Sequence, residues 1–305
     1  MDSGPDTAAT RVADGAFPSR GCVGAAWRLA DGALIESVLI PASPALYGEP
    51  SDRHTLCVST QVGCAYGCKF CASGLDGWKR HLRVEEIVNQ VLAVERLEGA
   101  GGRMINNLVI MGMGEPLANY DNLLPALRIL NAPWGAKLGA RKITVSTSGL
   151  APQIRRLADE PQQFRLAVSL HGATDETRAR IMPINKKYPL KVLMEACRAY
   201  PLRSWEHLTF EYVMLGGVND AADDARRVVR LLAPLKSVKM NLIPWNPGEL
   251  PYKESSEKKI EEFRRILTDR GVPTFVRYSR GRDVMAACGQ LALIEVKNSP
   301  LAVKG

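Results

Sequence analysis

Residues 55–74 read TLCVSTQVGCAYGCKFCASG. The stretch opens on a short apolar run, 55–59, of the kind that forms a buried strand. It continues into a glycine-containing loop that carries Cys64, Cys68 and Cys71 in the spacing C-x3-C-x2-C. A strand running into a loop rich in potential ligands is the first half of a βα unit, and the chain repeats that rhythm. Apolar, branched runs recur at 107–112, 142–146, 165–170, 208–215 and 238–244. Between them lie helical patterns. The clearest is 84–97, where Val84, Ile87, Val88, Val91 and Leu92 follow the spacing of one buried helix face. Other helices are predicted near 122–130, 151–157, 190–199, 220–232 and 255–270. Six strands with intervening helices require a parallel sheet, and right-handed crossovers curl it towards a full or partial barrel. A seventh strand-like piece, 274–278, follows. The fold class is α/β.

On the N-terminal side of this unit, residues 23–41 alternate around Asp31-Gly32, a dipeptide typical of a tight hairpin turn. The expected organisation is a disordered tail over 1–20, a β-hairpin extension and loop over 21–53, the barrel over 54–293, and a second tail over 294–305. A length of 305 residues with 46% hydrophobic and 24% charged side chains excludes wholesale disorder. No stretch approaches ~18 consecutive apolar residues, so no membrane span is expected. The N-terminus has neither the basic start nor the apolar core of a secretory signal, which predicts a cytoplasmic protein.

Charge is uneven. Residues 1–56 carry 4 basic and 7 acidic side chains, 57–150 carry 10 and 7, and 151–305 carry 26 and 18. Pairs such as Arg155-Arg156 or Lys258-Lys259 solvate helix faces in most proteins. A domain-wide excess still favours a polyanionic partner such as RNA. The 7 cysteines are odd in number and four lie within 15 residues, which in a reducing compartment reads as metal or redox chemistry.

In a parallel barrel the chemistry gathers at the carboxyl ends of the strands. Polar signals fall there in register: the cysteine loop after the first strand, Gly114-Glu115 after the second, Ser146 to Gly149 after the third, Ser169 to His171 after the fourth, Asn219 after the fifth, and Trp245-Asn246 after the sixth. Three thiolates hold a [4Fe–4S] cluster and leave one iron without a protein ligand. That iron can chelate the amino and carboxylate groups of S-adenosylmethionine and permit one-electron cleavage of its sulfonium bond. Zinc is the competing reading. It usually takes four protein ligands, and His54 and His81 lie outside a familiar finger spacing.

Taken with MGMGEP, STSG, VSLH, PINKKYPL, EYVMLGGVND, NLIPWNP and RGRDVMAACGQLA, the opening stretch resembles the RlmN/Cfr-type radical-SAM RNA methyltransferases, from about residue 35 to residue 293. The resemblance implies a partial (βα)6 radical-SAM barrel and methylation of an adenine carbon in 23S ribosomal RNA, transfer RNA or both. It implies C2 in the RlmN branch, which it favours, and C8 in the Cfr branch. It assigns Cys64, Cys68 and Cys71 to the [4Fe–4S] cluster. Gly114, Glu115, Ser146, Ser169, Leu170, His171 and Asn246 go to S-adenosylmethionine, two molecules of which are used per turnover. Cys288 would carry a methyl group taken from the first, and a 5′-deoxyadenosyl radical from the second would activate it for addition to the base. Cys57 would resolve the resulting protein–RNA adduct by forming a disulfide with Cys288, and Glu36 would accept the proton. An external electron donor such as a flavodoxin-like protein, and a monomeric enzyme, are also implied.

Read singly, these residues have ordinary alternatives. Cys57 alone would be a small buried hydrophobe, Glu36 an outward-facing strand residue and His171 a hydrogen-bonded barrel-end residue. Cys22 and Cys197 match nothing and read as structural, Trp245 as packing, and Asn185, Lys186 and Lys187 as facing RNA phosphate. The arginines 277, 280 and 282 are expected to lower the Cys288 thiol pKa. Family members usually carry a helical N-terminal domain, whereas 20–30 residues precede the hairpin here, so a shortened N-terminus is expected. A non-enzymatic iron–sulfur RNA-binding protein, or a radical enzyme acting on a protein or small molecule, are the competing functions.

Overall fold

The computed structural model describes residues 10–13, 23–41, 53–98, 104–204, 206–246 and 250–278. Four strands open the chain: β1 (Thr10–Ala13), β2 (Val23–Arg28), β3 (Leu34–Pro41) and β4 (His54–Cys57). A small antiparallel pair, β5 (Gln61–Gly63) and β6 (Trp78–His81), brackets the cysteine loop. Then come α1 (Val84–Glu98), β7 (Asn107–Ile110), α2 (Tyr120–Asn131), β8 (Ile143–Thr147), α3 (Ala151–Ala158), β9 (Arg165–Ser169), α4 (Asp175–Ile181) and α5 (Leu190–Ala199). The chain continues with β10 (Leu208–Met214), α6 (Ala222–Leu232), β11 (Val238–Pro244), α7 (Glu257–Thr268) and β12 (Thr274–Val276).

Ten strands form one sheet in the order β1-β2-β3-β4-β7-β8-β9-β10-β11-β12. From β4 to β12 every pairing is parallel, and β1 to β4 are joined antiparallel. The expected α/β architecture is therefore present, with one refinement. The run 274–276 pairs in register with β11, so seven parallel strands, not six, form the curved wall. Within the stretch expected to be a tail, Thr10–Ala13 pairs with β2 across a bulge.

The core follows from strand alternation. Leu56, Leu108, Ile110, Ile143, Val145, Leu166, Val168, Phe210, Tyr212, Met240 and Leu242 point towards the helices and are almost fully buried with Ile87, Val91, Leu127, Ile154, Leu193, Val228 and Phe263. Side chains at the alternate positions line the concave face. Burial of one continuous apolar layer on this scale dominates the stability of such a fold.

The hairpin β2–β3 turns through three residues, not two. Leu29 accepts from Gly32 N at 2.9 Å, Gly32 takes φ +80°, and the Asp31 carboxylate accepts from Ala33 N at 3.0 Å. This is a type I turn closed by a left-handed glycine. A buried polar seam joins the hairpin to the barrel. Trp27 Nε1 donates to Ser37 Oγ, Ser37 Oγ to Gln90 Oε1, and Gln90 brackets the backbone of Ser59 at 2.8 and 3.0 Å.

Arg80 clamps the hairpin tip to the start of α1. It donates to Asp31 at 2.7 Å and to both oxygens of nearly buried Glu86 at 2.8 and 2.9 Å. Burial pushes the Glu86 carboxyl up, but Arg80 and the Arg83 amide outweigh it and hold the group below the usual glutamate value. Arg80 likewise lowers the Asp31 carboxyl. Because both folded values are depressed, the clamp contributes stability near neutral pH and loses it as the pH falls below about 4. Hydrogen exchange should show the hairpin amides opening in that acid range while the parallel strands stay protected. Arg80→Ala should cost about 2 kcal/mol in denaturant unfolding, since it strands a nearly buried carboxylate.

Candidate active site at the carboxyl ends of the strands

The base of the cysteine loop is closed by glycine. A Cβ at Gly63 would sit 1.9 Å from the Gly77 carbonyl oxygen, and Gly63 is at φ +72°, so only glycine lets β5 and β6 close there. Cys64 N donates to that same carbonyl at 3.1 Å, and Cys71 N to Cys68 O at 3.1 Å. The loop is docked on α4 by Lys69 N donating to Ile181 O at 2.9 Å, and Phe70 stands edge-on to His171 with ring centroids 4.7 Å apart.

Burial pushes all three thiols up, Cys64 to about 11. For Cys64 and Cys68, repulsion from neighbouring thiols adds to the rise, so the three share one pocket. Among the described residues no three His, Cys, Asp or Glu side chains converge closely enough to hold a single metal ion. Cluster ligands bind separate irons and stand farther apart than the ligands of one ion. Three thiols gathered on one loop match the donor set of a [4Fe–4S] cluster, whereas zinc usually takes four protein ligands.

Opposite the loop, Glu115 is buried and held by backbone. Its Oε2 accepts from Ser148 N at 2.6 Å and its Oε1 from Leu117 N at 3.1 Å. Burial still leaves the carboxyl raised above the usual glutamate value. Each oxygen keeps further acceptor capacity, so the group can take an ammonium from a ligand. Gln61 sets the position of this turn: its Oε1 accepts from Glu115 N at 2.8 Å and its Nε2 meets His81 Nδ1 at 3.0 Å. Gly114 takes φ +100°, and a Cβ there would lie 2.5 Å from the Gln61 side chain.

His171 is held at φ +54°, a strained value for a residue with a side chain. Asn219 fixes it, donating to His171 O at 2.8 Å and Val213 O at 2.7 Å. The His171 Nδ1 accepts from Val213 N at 2.9 Å, which puts the ring proton on Nε2. Burial, then the charge of Arg178, pushes its pKa down to about 3, so it is a neutral donor through Nε2.

Ser146 and Ser169 lie half-buried on β8 and at the end of β9, at alternate positions that face the concave side, and Asn246 is buried just past β11. Leu170 is different. Its side chain belongs to the helix-facing core, its amide donates to Glu211 O, and its carbonyl accepts from Arg178 and Gly172. Asn185 does not face solvent: it is buried and bonded to Arg178 and Asp175, while Lys186 and Lys187 are exposed. Trp245 packs against Tyr252, as expected of a packing residue.

Cys57 pairs with Val38 across β3 and β4, on the face opposite Leu56, and Glu36 lies two residues before Val38 on that same face. Val38, Ala26 and Met113 surround the thiol, and burial pushes it up to about 12. Cys288, with Arg280 and Arg282, lies outside the described residues, as does Cys22; Cys197 is buried on α5.

Two site residues carry no motif that singles them out, Gln61 and Arg178, while Asn219, marked by its place after the fifth strand, proves to be a positioning group. Arg178 is fully buried and donates to the carbonyls of Leu170, Ser148 and Ser169 and to Asn185 Oδ1, at 3.0, 2.6, 3.1 and 2.9 Å.

Residues 58–232 match the radical SAM superfamily. The chain is 51% identical over 267 residues to a probable dual-specificity RNA methyltransferase RlmN of Akkermansia muciniphila, covering 87% of this chain and 73% of that one. It is 50% identical over 266 residues to the dual-specificity RNA methyltransferase RlmN of Geotalea uraniireducens, covering 87% and 73%. A crystal structure of a radical SAM methyltransferase from Sphaerobacter thermophilus superposes with TM-score 0.86 at 45% identity, over 93% of this chain and 81% of the other.

Proposed function

From the membership of this chain in the radical SAM superfamily and, within it, in the RlmN family of RNA methyltransferases, we propose that it methylates C2 of adenine in RNA, in 23S ribosomal RNA, transfer RNA or both. The observation that carries the reading is the meeting of two kinds of site at one barrel mouth. A three-cysteine loop faces a backbone-held carboxylate, and beside it a buried thiol shares a sheet face with Glu36.

Cys64, Cys68 and Cys71 would hold the [4Fe–4S] cluster, and Glu115 would take the ammonium of S-adenosylmethionine. Ser146, Ser169, Leu170, His171 and Asn246 would line the rest of that molecule, with Leu170 restricted to backbone contact. When bound, the cluster supplies the electron that cleaves the sulfonium bond. Adenine C2 lies between two ring nitrogens and is a poor nucleophile, so a polar transfer to it fails. Cys288 carries the methyl carbon instead, and two molecules of S-adenosylmethionine are consumed, one as methyl donor and one as radical source. A thiol at about 12 is protonated at neutral pH, so Cys57 needs a base before it can attack the Cys288 sulfur. Glu36, on the same face of the adjoining strand, is the acceptor we assign for the proton lost from the adenine carbon as the methylated base is released. The electron comes from an external donor of the flavodoxin kind, and the protein works as a cytoplasmic monomer. Among the described residues no helix is long and apolar enough to cross a membrane.

Anaerobic incubation of the cluster-loaded protein with unmodified ribosomal and transfer RNA, followed by nucleoside mass spectrometry, should yield 2-methyladenosine. If 8-methyladenosine forms instead, the C2 assignment is wrong. Cys57→Ala should accumulate a covalent protein–RNA adduct, seen as a retarded band on a denaturing gel, with product lowered about a hundredfold or more. Unchanged product formation would remove Cys57 from the reaction.

A further inference from the structure

Arg178 is a cation buried without an anion. The guanidinium is fully buried, and all of its hydrogen-bond acceptors are neutral: three backbone carbonyls and the Asn185 amide oxygen. Among the described residues no carboxylate forms an ion pair with it. Asp175 stands one residue further out, its carboxylate already accepting from Asn185 Nδ2 and Leu190 N at 2.8 Å each. A buried, unpaired charge is costly, and a packed apolar residue would serve stability better. Hydrogen bonds to the ends of β8 and β9 would not themselves require a charge.

Further negative charge can form at the cluster loop, which is bonded to the Arg178 helix. The Arg178 helix carries that loop through the bond from Lys69 N to Ile181 O, and Cys68 and Phe70 pack against the apolar cluster that includes Ile181 and Met182. Leu170, whose carbonyl accepts from Arg178, precedes His171, and the His171 ring stands edge-on to Phe70 at 4.7 Å, so the guanidinium is joined to the loop segment between Cys68 and Cys71 through two packed residues. His171 accepts through Nδ1 and is neutral, so of the groups packed there besides the cysteines Glu115, across the mouth, is the one that can carry negative charge.

We propose that Arg178 is a positioning residue whose fixed charge poises the reduction potential of the iron–sulfur cluster held by Cys64, Cys68 and Cys71. Adding one electron from an external reductant makes a thiolate-ligated cluster more negative, and no bond in the protein changes. A nearby buried cation favours that reduced form and raises the potential. The inference rests on the cluster assignment above, but not on which RNA or which adenine carbon is methylated.

The test is an EPR-monitored redox titration of anaerobically reconstituted, full-length protein, wild type against Arg178→Gln and Arg178→Lys. Arg178→Gln should reduce the ratio of reduced to oxidised cluster about tenfold at a fixed poise, a shift of about 59 mV to lower potential for a one-electron couple. Arg178→Lys keeps the charge but not the fork, so its potential should stay near wild type while its thermal stability falls. Should Arg178→Gln fail to fold, Arg178→Met removes the same charge behind an apolar stem, and should lower the potential in the same direction. Unchanged potentials in the charge-altering variants, or an equal drop in Arg178→Lys, would overturn the proposal. A wild-type chain that binds no [4Fe–4S] cluster would overturn both this inference and the function it rests on.

Discussion

Cys68→Ala is expected to abolish iron–sulfur loading and to bring both 5′-deoxyadenosine and methylated adenosine down to background. Two remaining thiolates cannot hold a cluster that needs three, and the other free cysteines among the described residues, Cys57 and Cys197, are buried in separate parts of the fold. The substitution should cost little in stability. Cys68 sits on a loop that packs against a small apolar cluster at the barrel mouth, outside the main core. Circular dichroism of Cys68→Ala should therefore match wild type while its iron content and visible absorbance after reconstitution collapse. Retention of full iron content would show that the three cysteines are not the ligand set.

The elements that the sequence announces are those with a period. Helix α1 was legible from Val84 to Leu92 because five apolar residues recur on one face, and its observed span, Val84–Glu98, differs from the predicted one by a single residue. The parallel strands were legible because each is a branched, apolar run short enough to be a strand. Short or polar elements were not. Helix α4 has the sequence DETRARI, with Ile181 its main apolar contribution, and rests on a Thr174 cap and on the burial of Arg178, neither of which has a periodic signature. Strands β5 and β6 are three and four residues long and owe their pairing to Gly63 and Gly77.

The same contrast holds at the site. Cysteines in a fixed spacing and a glycine before a carboxylate are readable because the chemistry demands those residue types. The groups that aim them are scattered singly. Gln61 reaches Glu115 across 54 residues, Asn219 reaches His171 across 48, and Arg178 ties two strand ends to an asparagine that looked like a surface residue. A buried polar connector is defined by its partners, and only tertiary structure brings those partners together. Leu170 shows the converse. A motif position matched to ligand contact carries a side chain that packs into the core.

Gly114→Ala should lower S-adenosylmethionine affinity by about tenfold to a hundredfold while leaving cluster loading intact. At φ +100° an alanine is strained by about 1–3 kcal/mol, and its methyl would lie 2.5 Å from Gln61 Cβ and 2.6 Å from Cγ. Those are near-backbone atoms of a side chain that is itself fixed at both polar ends, so neither partner can move cheaply. Relief requires the turn or Gln61 to shift, and either shift removes the acceptor of the Glu115 amide and displaces a carboxylate held by Ser148 N and Leu117 N. Strain of that size, borne in the folded site and relieved only by moving Glu115, converts to the stated loss at 1.4 kcal/mol per factor of ten. Isothermal titration of the cluster-loaded variant gives the affinity directly. If Gly114→Ala binds S-adenosylmethionine as wild type does, Glu115 is not its ammonium acceptor and the cofactor lies elsewhere in the barrel mouth.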